Sequence, residues 1–270
     1  MSRFVCATCG VQYEETGAHS PEHCLICEDE RQYIPDSGQR WLTTERLAER
    51  HHNEFRRHED RLVGIGTSPT FAIGQRALLV QSPGGNVLWD CISLIDEFTK
   101  RTVSEMGGIA AISISHPHYY SAMVDWAEAF DATLYLHARD RRWAMRASSK
   151  IEFWEGEELD LHDGLKLINL GGHFDGGTVL HAPFLAGDKG ALLTGDIIQV
   201  IPDRHFVSFM YSYPNLIPLP AAKVGRMAAR VHELVFDRIY GAWWGRNIAD
   251  GAKAAFDVSV RRYLKAIASA

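Results

Sequence analysis

Long apolar runs are missing from this sequence. No stretch of about 18 apolar residues occurs in the 270 residues, so we do not expect a membrane-spanning helix. The first residues, MSRFVCATCG, also lack the apolar core of a secretion signal. We therefore expect a cytoplasmic protein without membrane contact.

An excess of positive charge is missing as well. Lys and Arg together number 28 against 34 Asp and Glu, which gives a formal net charge of −6. Because phosphate backbones are bound through a concentrated positive field, nucleic acid is not the expected main partner. The fractions of hydrophobic residues (46%) and charged residues (23%) are typical of a globular enzyme. The length allows one large domain, or one domain with a small module.

Cysteine is scarce beyond residue 27. The first 27 residues hold two Cys-x-x-Cys pairs, formed by Cys6, Cys9, Cys24 and Cys27. This spacing predicts a zinc-ribbon-like site, and zinc would supply the folding free energy that so short a segment lacks. Disulfides are the alternative, which the missing secretion signal disfavours. The loop between the pairs holds two alternative ligands, His19 and His23.

Four ligands close the coordination shell of zinc, so we expect this segment to be a structural or docking element. Pro35-Asp-Ser-Gly38 then marks the end of the module, which gives residues 1–38. The next stretch, 39–61, is highly charged and can be capped by Thr43 or Thr44, which predicts an exposed connecting helix. Its histidines, predicted to be solvated, are His51, His52 and His58.

Residues 62–270 change character to short apolar runs and amphipathic segments. The runs are bounded by Gly, Pro, Asn or Asp and predict strands at Phe71–Val80, Asn86–Cys91, Ile109–Ile114, Thr133–Leu136, Leu165–Leu170, Thr178–Ala182 and Ala191–Leu193. The predicted helices are Leu94–Met106, Ala122–Phe130, Ala138–Arg146, Ala221–Leu234 and Ile248–Ala268. Strands alternating with helices indicate a layered α/β or α+β domain.

Potential metal ligands follow three of these predicted strands. His116 and His118 lie in His-Pro-His after the strand at 109–114, His173 ends Gly-Gly-His, and Asp196 ends Thr-Gly-Asp. An extended backbone would place His116 and His118 on one side, so that both imidazoles reach one ion. Each residue alone also fits a structural role, as a hydrogen-bonding His or a capping Asp. Together they predict a shared metal centre.

In these motifs, and in the strand that ends in Val-Leu-Trp-Asp90, the chain from about 62 to 270 resembles the metallo-β-lactamase-fold hydrolases. The resemblance implies an αββα sandwich with metal at one edge of two facing sheets. Members of that family hydrolyse esters, amides, thioesters or phosphodiesters with zinc-bound hydroxide. The small N-terminal module precedes this domain.

The sequence departs from the family at the second metal. The family pattern H-x-H-x-D-H is here HPHYYS, with Tyr120 in place of the Asp and Ser121 in place of the last His. The late histidine falls within FDRIYGAWWG, which offers Trp243 or Trp244 instead. The resemblance thus implies a single metal, zinc or iron, held by His116, His118, His173 and Asp196. We name Asp196 and His118 as the candidate catalytic residues.

Aromatic residues predict an apolar pocket wall beside this metal edge. The candidate substrate-binding residues are Tyr120, His205, Tyr211 and Trp243, with Tyr213 a further candidate. Asp175, within HFDGG, fits a turn better than a catalytic base, and His181 fits a core or supporting position.

Three functions remain open on the sequence. The first is a single-zinc hydrolase of a small ester, thioester or lactone-like molecule. The second is a non-haem iron enzyme similar to the sulfur dioxygenases, because two histidines and Asp196 form a two-His-one-carboxylate set. The third is a degenerate scaffold, in which the zinc-ribbon-like module docks a protein or nucleic acid.

Overall fold

The N-terminal segment forms a small module of short elements. The computed structural model describes residues 3–14, 17 and 19–268. The first elements are β1 (Phe4–Cys6), α1 (Leu25–Glu28), β2 (Trp41–Thr43) and α2 (Thr44–Ala48). Strands β1 and β2 pair antiparallel, with Cys6 opposite Trp41. Helix α2 is capped by Thr43, whose side chain accepts a hydrogen bond from the backbone N–H of Arg46.

The predicted connecting helix over 39–61 is wrong except at Thr44–Ala48, because strand β2 precedes this short helix and a longer strand follows it. Helix α2 ends at Ala48, and the chain continues as strand β3 (His52–Glu59), which pairs antiparallel with β4 (Leu62–Ser68). Strand β3 lies at the edge of a seven-stranded sheet. Charged side chains on an edge strand discourage pairing with other chains, which explains a composition that resembles that of a solvated helix.

One histidine of β3 is not solvated as predicted. His58 is half-buried, and its Nε2 accepts a hydrogen bond of 2.8 Å from Nη1 of the buried Arg76. Burial, with the Arg76 charge beside it, lowers the pKa of His58 to about 4. His58 is therefore a neutral packing partner of Arg76.

The first large sheet has the order β3-β4-β5-β6-β7-β8-β9. Its remaining strands and the helices between them are β5 (Arg76–Val80), β6 (Val87–Trp89), α3 (Glu97–Glu105), β7 (Ala111–Ser113), α4 (Met123–Phe130), β8 (Thr133–His137) and β9 (Ile151–Trp154). Strands β6 to β9 run parallel, and β3 to β6 pair antiparallel.

The second large sheet has the order β10-β11-β12-β13-β18-β19. The elements from here to the C-terminal helix are β10 (Glu158–Asp160), β11 (Lys166–Asn169), β12 (Thr178–Ala182), α5 (Leu185–Asp188), β13 (Ala191–Gly195), β14 (Gln199–Val200), β15 (Val207–Ser208), β16 (Met210–Ser212), β17 (Ile217–Pro218), α6 (Ala221–His232), β18 (Arg238–Gly241), β19 (Asn247–Ile248) and α7 (Ala252–Ala268). Strands β14 with β15 and β16 with β17 form two small separate pairs.

Alternating side chains hold the layers together. On β13, Leu193 packs in the cluster between the sheets, whereas Leu192 packs against α6 and α7. On β5, Leu78 faces the second sheet and Leu79 joins the cluster that contains residues of α3 and α4. Because successive side chains of a strand point to opposite faces, each sheet is covered on both sides. The result is the αββα sandwich that the family resemblance implies.

All the predicted strands and helices of residues 62–270 overlap observed elements, although Ala138–Trp143 is a 3-10 turn rather than an α-helix. Strands β4, β9, β10 and those after β13 have no counterpart among the predicted elements. In the described residues, no helix combines the length and the apolar character needed to cross a bilayer.

Candidate metal centres and active site

The four N-terminal cysteines converge on one point in the module. The Sγ atoms of Cys6 and Cys27 are 3.6 Å apart, as are those of Cys9 and Cys24, and all four side chains are buried. These separations are far longer than a disulfide bond of about 2.05 Å. Backbone N–H groups point at the sulfur of Cys6, from Thr8 and from Cys9, at 3.4 Å each.

This arrangement suits a closed four-thiolate zinc site. The histidines considered as alternative ligands lie outside the cluster. His23 is exposed and its Nδ1 lies 2.7 Å from a carboxylate oxygen of Glu28, and His19 is exposed.

The histidine site lies where both large sheets end. His116 and His118 follow β7 of the first sheet, and His173 and Asp196 follow β11 and β13 of the second. The backbone is extended at His116 but turns in a 3-10 conformation over Pro117–Tyr119, so His-Pro-His is not the extended segment that the sequence predicted. The turn still brings the rings of His116 and His118 to a centroid distance of 5.0 Å.

Hydrogen bonds decide which nitrogen of His173 is free. Its Nδ1 is 2.7 Å from the carbonyl oxygen of Tyr211, which can only accept, so Nδ1 carries the proton. The lone pair is then on Nε2, which lies 3.2 Å from Nδ1 of His118. Nitrogen atoms of His116, His118 and His173 all lie within 4.8 Å of one another.

His116 is held by a serine and, behind it, an aspartate. Its Nδ1 lies 2.9 Å from Oγ of Ser115, and the backbone N–H of Ser115 donates to Oδ1 of Asp90 at 2.8 Å. If Nδ1 donates to Ser115, the free nitrogen is Nε2, which faces the other histidines. Gly195 has a φ of +55°, and a Cβ there would lie 2.4 Å from the Ser115 Oγ. Glycine in Thr-Gly-Asp thus permits the two sheet ends to meet.

Electrostatics and unmet hydrogen bonds fit a cation at this point. Burial lowers the pKa of His116 and His118 well below the usual range and that of His173 to about 4, so all three are neutral donors. Burial also raises the pKa of Asp196 to about 7, against the opposite effect of the Tyr119 hydroxyl. Oδ1 of Asp196 lies 3.2 Å from Nε2 of His116, and neither atom has a hydrogen-bond partner among the described residues.

A pocket of about 280 Å³ opens onto this site. His118, His173 and Asp196 line it, together with the apolar and aromatic side chains of Ile73, Tyr213 and Trp243. The Tyr213 hydroxyl donates to the backbone carbonyl of Asp196 at 2.7 Å. Small-molecule sites in proteins have this combination of apolar walls and a few polar groups.

The predicted substrate-binding residues fall in different places. Trp243 lines the pocket, and its Nε1 donates to the carbonyl of Ile73 at 3.0 Å. Tyr120 is buried in the core of the first sheet and is absent from the described pocket lining. His205 is exposed and lines a separate cleft beside Asn247.

The side chains of three further candidates lie outside the described lining of the pocket. Tyr211 supplies its carbonyl to His173, and its hydroxyl donates to Glu30. Asp175 is largely exposed with Lys223 3.9 Å away, so it is poorly placed to act as a base. His181 is half-buried, and its Nε2 lies 2.8 Å from the carbonyl of Val235 on the far side of β12.

The positions that hold a second metal in the family are committed to other contacts. Oγ of Ser121 accepts a hydrogen bond of 2.9 Å from Nε2 of Gln75, and its carbonyl accepts one from Gln12 of the module. Tyr120 packs in the hydrophobic core, and Trp243 forms part of the wall of the pocket beside the histidines.

The N-terminal module contributes to the pocket, which its sequence did not indicate. Thr8, Gln32 and Tyr33 line it with the histidines, and Nη1 of Arg31 donates to the carbonyl of His173 at 3.3 Å. Local sequence patterns do not predict contacts between the module and the histidine site, because the residues involved are far apart in the chain. The position of Thr8 inside the first Cys-x-x-Cys was the only signal, and it indicated zinc rather than a pocket.

Comparisons with known proteins agree with the fold. No family model matches the sequence. The uncharacterized protein YmaE of Bacillus subtilis (strain 168) is 51% identical over 271 residues, which cover 100% of this chain and 98% of YmaE.

Two solved structures illustrate the structural similarity. The metallo-β-lactamase DIM-1 superimposes with a TM-score of 0.58 at 15% identity, over 80% of this chain and 98% of its own. The metallo-β-lactamase FIM-1 from Pseudomonas aeruginosa in its mono-zinc form has a TM-score of 0.57 at 16% identity, over 79% and 96%. The chain therefore belongs to the same family as YmaE, and it is a divergent member of the metallo-β-lactamase fold with a four-cysteine cluster at its N-terminus.

Proposed function

We propose that the protein is a metal-dependent hydrolase with one zinc ion at His116, His118 and His173. The observation that carries this proposal is the convergence of their neutral, buried nitrogens beside a pocket that His118, His173 and Asp196 line. Three imidazoles with one position left for water form the ligand set of catalytic zinc sites. A scaffold without catalysis would gain nothing from burying these unpaired polar atoms.

When bound, zinc acidifies a water molecule and polarises the substrate carbonyl. The protein's residues supply the rest. His173 is fixed in one tautomer by the Tyr211 carbonyl, and the ring of His116 is held in place by the Ser115 hydroxyl. Asp196 lies at the floor with a free Oδ1, which suits it to orient the attacking water and to accept its proton.

A single metal is proposed because the second site lacks ligands. Tyr120 is buried away from the pocket, Ser121 is engaged by Gln75, and Trp243 replaces the late histidine. Asp196 is the one carboxylate among the residues that line the described pocket. The similarity to a mono-zinc metallo-β-lactamase is consistent with this proposal.

The pocket supports a small, uncharged substrate. Its volume is about 280 Å³, its walls are largely apolar, and no Lys or Arg lines it in the described residues. A phosphate ester would lack a cationic partner other than the metal, whereas an ester, thioester or lactone needs only carbonyl polarisation and an apolar wall. We propose this substrate class, and we propose a cytoplasmic location, which the unpaired cysteines support.

Metal analysis and a hydrolysis screen test the proposal. We expect two zinc ions per chain in the wild type, and hydrolysis of small esters, thioesters or lactones. His118→Ala should lose one ion and the activity. His137→Ala removes a buried histidine whose Nε2 lies near the Gly156 carbonyl, outside the site, and should keep both. Three ions would indicate a dinuclear site, and one ion with unchanged behaviour of His118→Ala would indicate a scaffold.

A non-haem iron enzyme is the second candidate. The observation in its favour is the 3.2 Å separation of Asp196 Oδ1 from His116 Nε2, which with His173 provides two histidines and one carboxylate. Iron in place of zinc at the histidines, with oxygen consumed in the presence of a thiol persulfide, would favour this activity over hydrolysis.

A further inference from the structure

The N-terminal module reaches the pocket of the histidine site. We propose that the module is a wall of the active site rather than a separate docking domain, with Gln32 contacting the substrate and Arg31 positioning His173. The proposal rests on the proposed function, because it concerns the same pocket. It is carried by the hydrogen bonds, the packing and the burial of the described residues of the module, chiefly those at 8–11 and 26–33.

The module and the sandwich share one hydrophobic cluster. Cys9, Val11 and Ile26 pack in the same cluster as Cys91 and Tyr120 of the large domain. A buried polar contact joins the two parts as well, since Oγ of Ser93 donates to the carbonyl of Gly10 at 2.7 Å. A surface already buried in this way is not free to bind another protein.

Arg31 connects the module to a metal ligand. Its guanidinium forms two hydrogen bonds with Asp29, at 2.5 and 2.9 Å, and lies 3.8 Å above the ring centroid of Phe174. Nη1 also donates to the carbonyl of His173. Asp29 follows Cys27 by two residues, so the thiolate cluster and the backbone of His173 are joined by a short chain of contacts.

The backbone beside Arg31 is fixed by the loop after β16. Oγ of Ser212 donates to the carbonyl of Arg31 at 3.1 Å. Nδ2 of Asn215 donates to the carbonyls of Glu30 and Gln32, at 2.8 and 3.1 Å. This loop also carries Tyr213 of the pocket wall. These hydrogen bonds fix the backbone of Gln32 and of the two residues before it.

Gln32 presents an unused amide to the pocket. The residue is only 7% exposed, it lines the pocket, and its side chain makes no hydrogen bond with the described residues. Its amide atoms are not among the fully buried polar atoms without a partner, so they are open to water in the pocket, and a polar ligand group can replace that water. Because an amide both donates and accepts, it suits a neutral polar group such as a carbonyl or hydroxyl.

The role of Arg31 is tested by zinc affinity at the histidines. In a competition titration with a chelator, Arg31→Ala should weaken this site by up to about tenfold, the lower end of the effect of groups that orient a ligand, because Arg31 contacts the backbone of His173 rather than its ring. Arg31→Lys should restore part of the affinity, and the four-cysteine site should keep its zinc in both. Arg238→Ala is a matched control, because Arg238 also contacts one carboxylate and one backbone carbonyl. Equal affinities in Arg31→Ala and Arg238→Ala would overturn the positioning role.

The role of Gln32 is tested with thiols that bind the metal. In protein with cobalt at the histidines, Gln32→Ala should weaken thioglycerol about threefold to tenfold, as expected for one lost hydrogen bond. Propanethiol, which lacks hydroxyl groups, should bind both proteins equally. Gln81, whose Nε2 donates to the Met106 carbonyl and which does not line the pocket, provides the control, and Gln81→Ala should match the wild type for both thiols. Unchanged thioglycerol binding would refute the contact. A wild type that takes up no ion at the histidines would overturn this proposal together with the proposed function, whereas unchanged variants would overturn the module's role alone.

Discussion

The four-cysteine cluster and the three-histidine cluster both present buried donors to one point, but their surroundings differ. The sulfur atoms lie inside a module that closes over them, with backbone N–H groups of Thr8 and Cys9 directed at Cys6. Two of the three imidazoles, those of His118 and His173, line a pocket with apolar walls. Four thiolates satisfy zinc completely, whereas three neutral nitrogens leave a position open.

A structural metal centre and a catalytic one thus differ in the number of protein ligands and in whether a pocket gives water and substrate access to the metal. The two centres are not independent, however. Thr8 belongs to the first Cys-x-x-Cys and lines the pocket, and Arg31 contacts the backbone of His173. A change at the cysteines should therefore spread to the histidines, and a change at the histidines should remain local.

The largest expected effect comes from breaking the cysteine cluster. Cys9→Ser replaces one of four buried thiolates, and zinc binding in such modules is worth about 10 kcal/mol or more of folding free energy. We expect loss of one zinc ion per chain and unfolding of the module. Amide hydrogen exchange over residues 3–14, together with metal content, measures both.

The fifth cysteine provides the control for that experiment. Cys91 is buried in the same hydrophobic cluster but lies outside the four-cysteine group. Cys91→Ala should keep both zinc ions and the slow exchange of residues 3–14. If Cys9→Ser retained its zinc and its protection, the module would be held by packing alone, and the contrast between the two centres would fail.

A smaller effect is expected from the support of His116. Ser115→Ala removes the hydroxyl beside Nδ1 of His116, and such outer groups typically contribute about 10–100-fold to metal affinity. Zinc affinity at the histidines should fall by this factor, while the cysteine site is unchanged. Ser113→Ala, also buried and two residues earlier in the chain, should have no effect, because Ser113 contacts the Tyr135 carbonyl. Equal behaviour of the two variants would refute the supporting role of Ser115.

Much of the fold could be predicted because the signals were local. The run Thr178–Ala182 is rich in β-branched and aliphatic residues and became β12 without a change of bounds. Strand β3 was mistaken for a helix because an edge strand carries charges on its outer face, so its composition does not show the two-residue period. Pairing with β4, which is a tertiary contact, decided its conformation.

The candidate site was predictable only as far as its ligands. His116, His118, His173 and Asp196 each end a recognisable motif, and the structure brings them together. The pocket wall was not predictable, because Gln32 comes from the module and Trp243 from the end of the second sheet. Residue type alone placed Tyr120 and His205 in the pocket, whereas packing of the first sheet and an exposed loop place them elsewhere.

The smallest expected effect concerns Asp140, which supports the loop that carries His173. Oδ1 of Asp140 accepts a hydrogen bond of 3.0 Å from the backbone N–H of Gly176, and burial raises the pKa of this carboxyl from 3.8 to about 7. A raised pKa means that the folded state holds a proton that the unfolded state releases, so the free energy of unfolding falls as pH rises towards the folded pKa and then levels off.

Asp140→Asn keeps the acceptor without the charge. Relative to this variant, the wild type should lose about 1.4 kcal/mol between about pH 6 and about pH 8 in denaturant titrations. Asp188→Asn, at an exposed position of α5 that does not act on Asp140, should show no such difference from the wild type. A wild type that gained stability with pH relative to Asp140→Asn would contradict this account, because the buried carboxyl would then be stabilised as a charge. The free energy of unfolding would thus depend on pH through Asp140, a carboxyl near His173 that binds no metal.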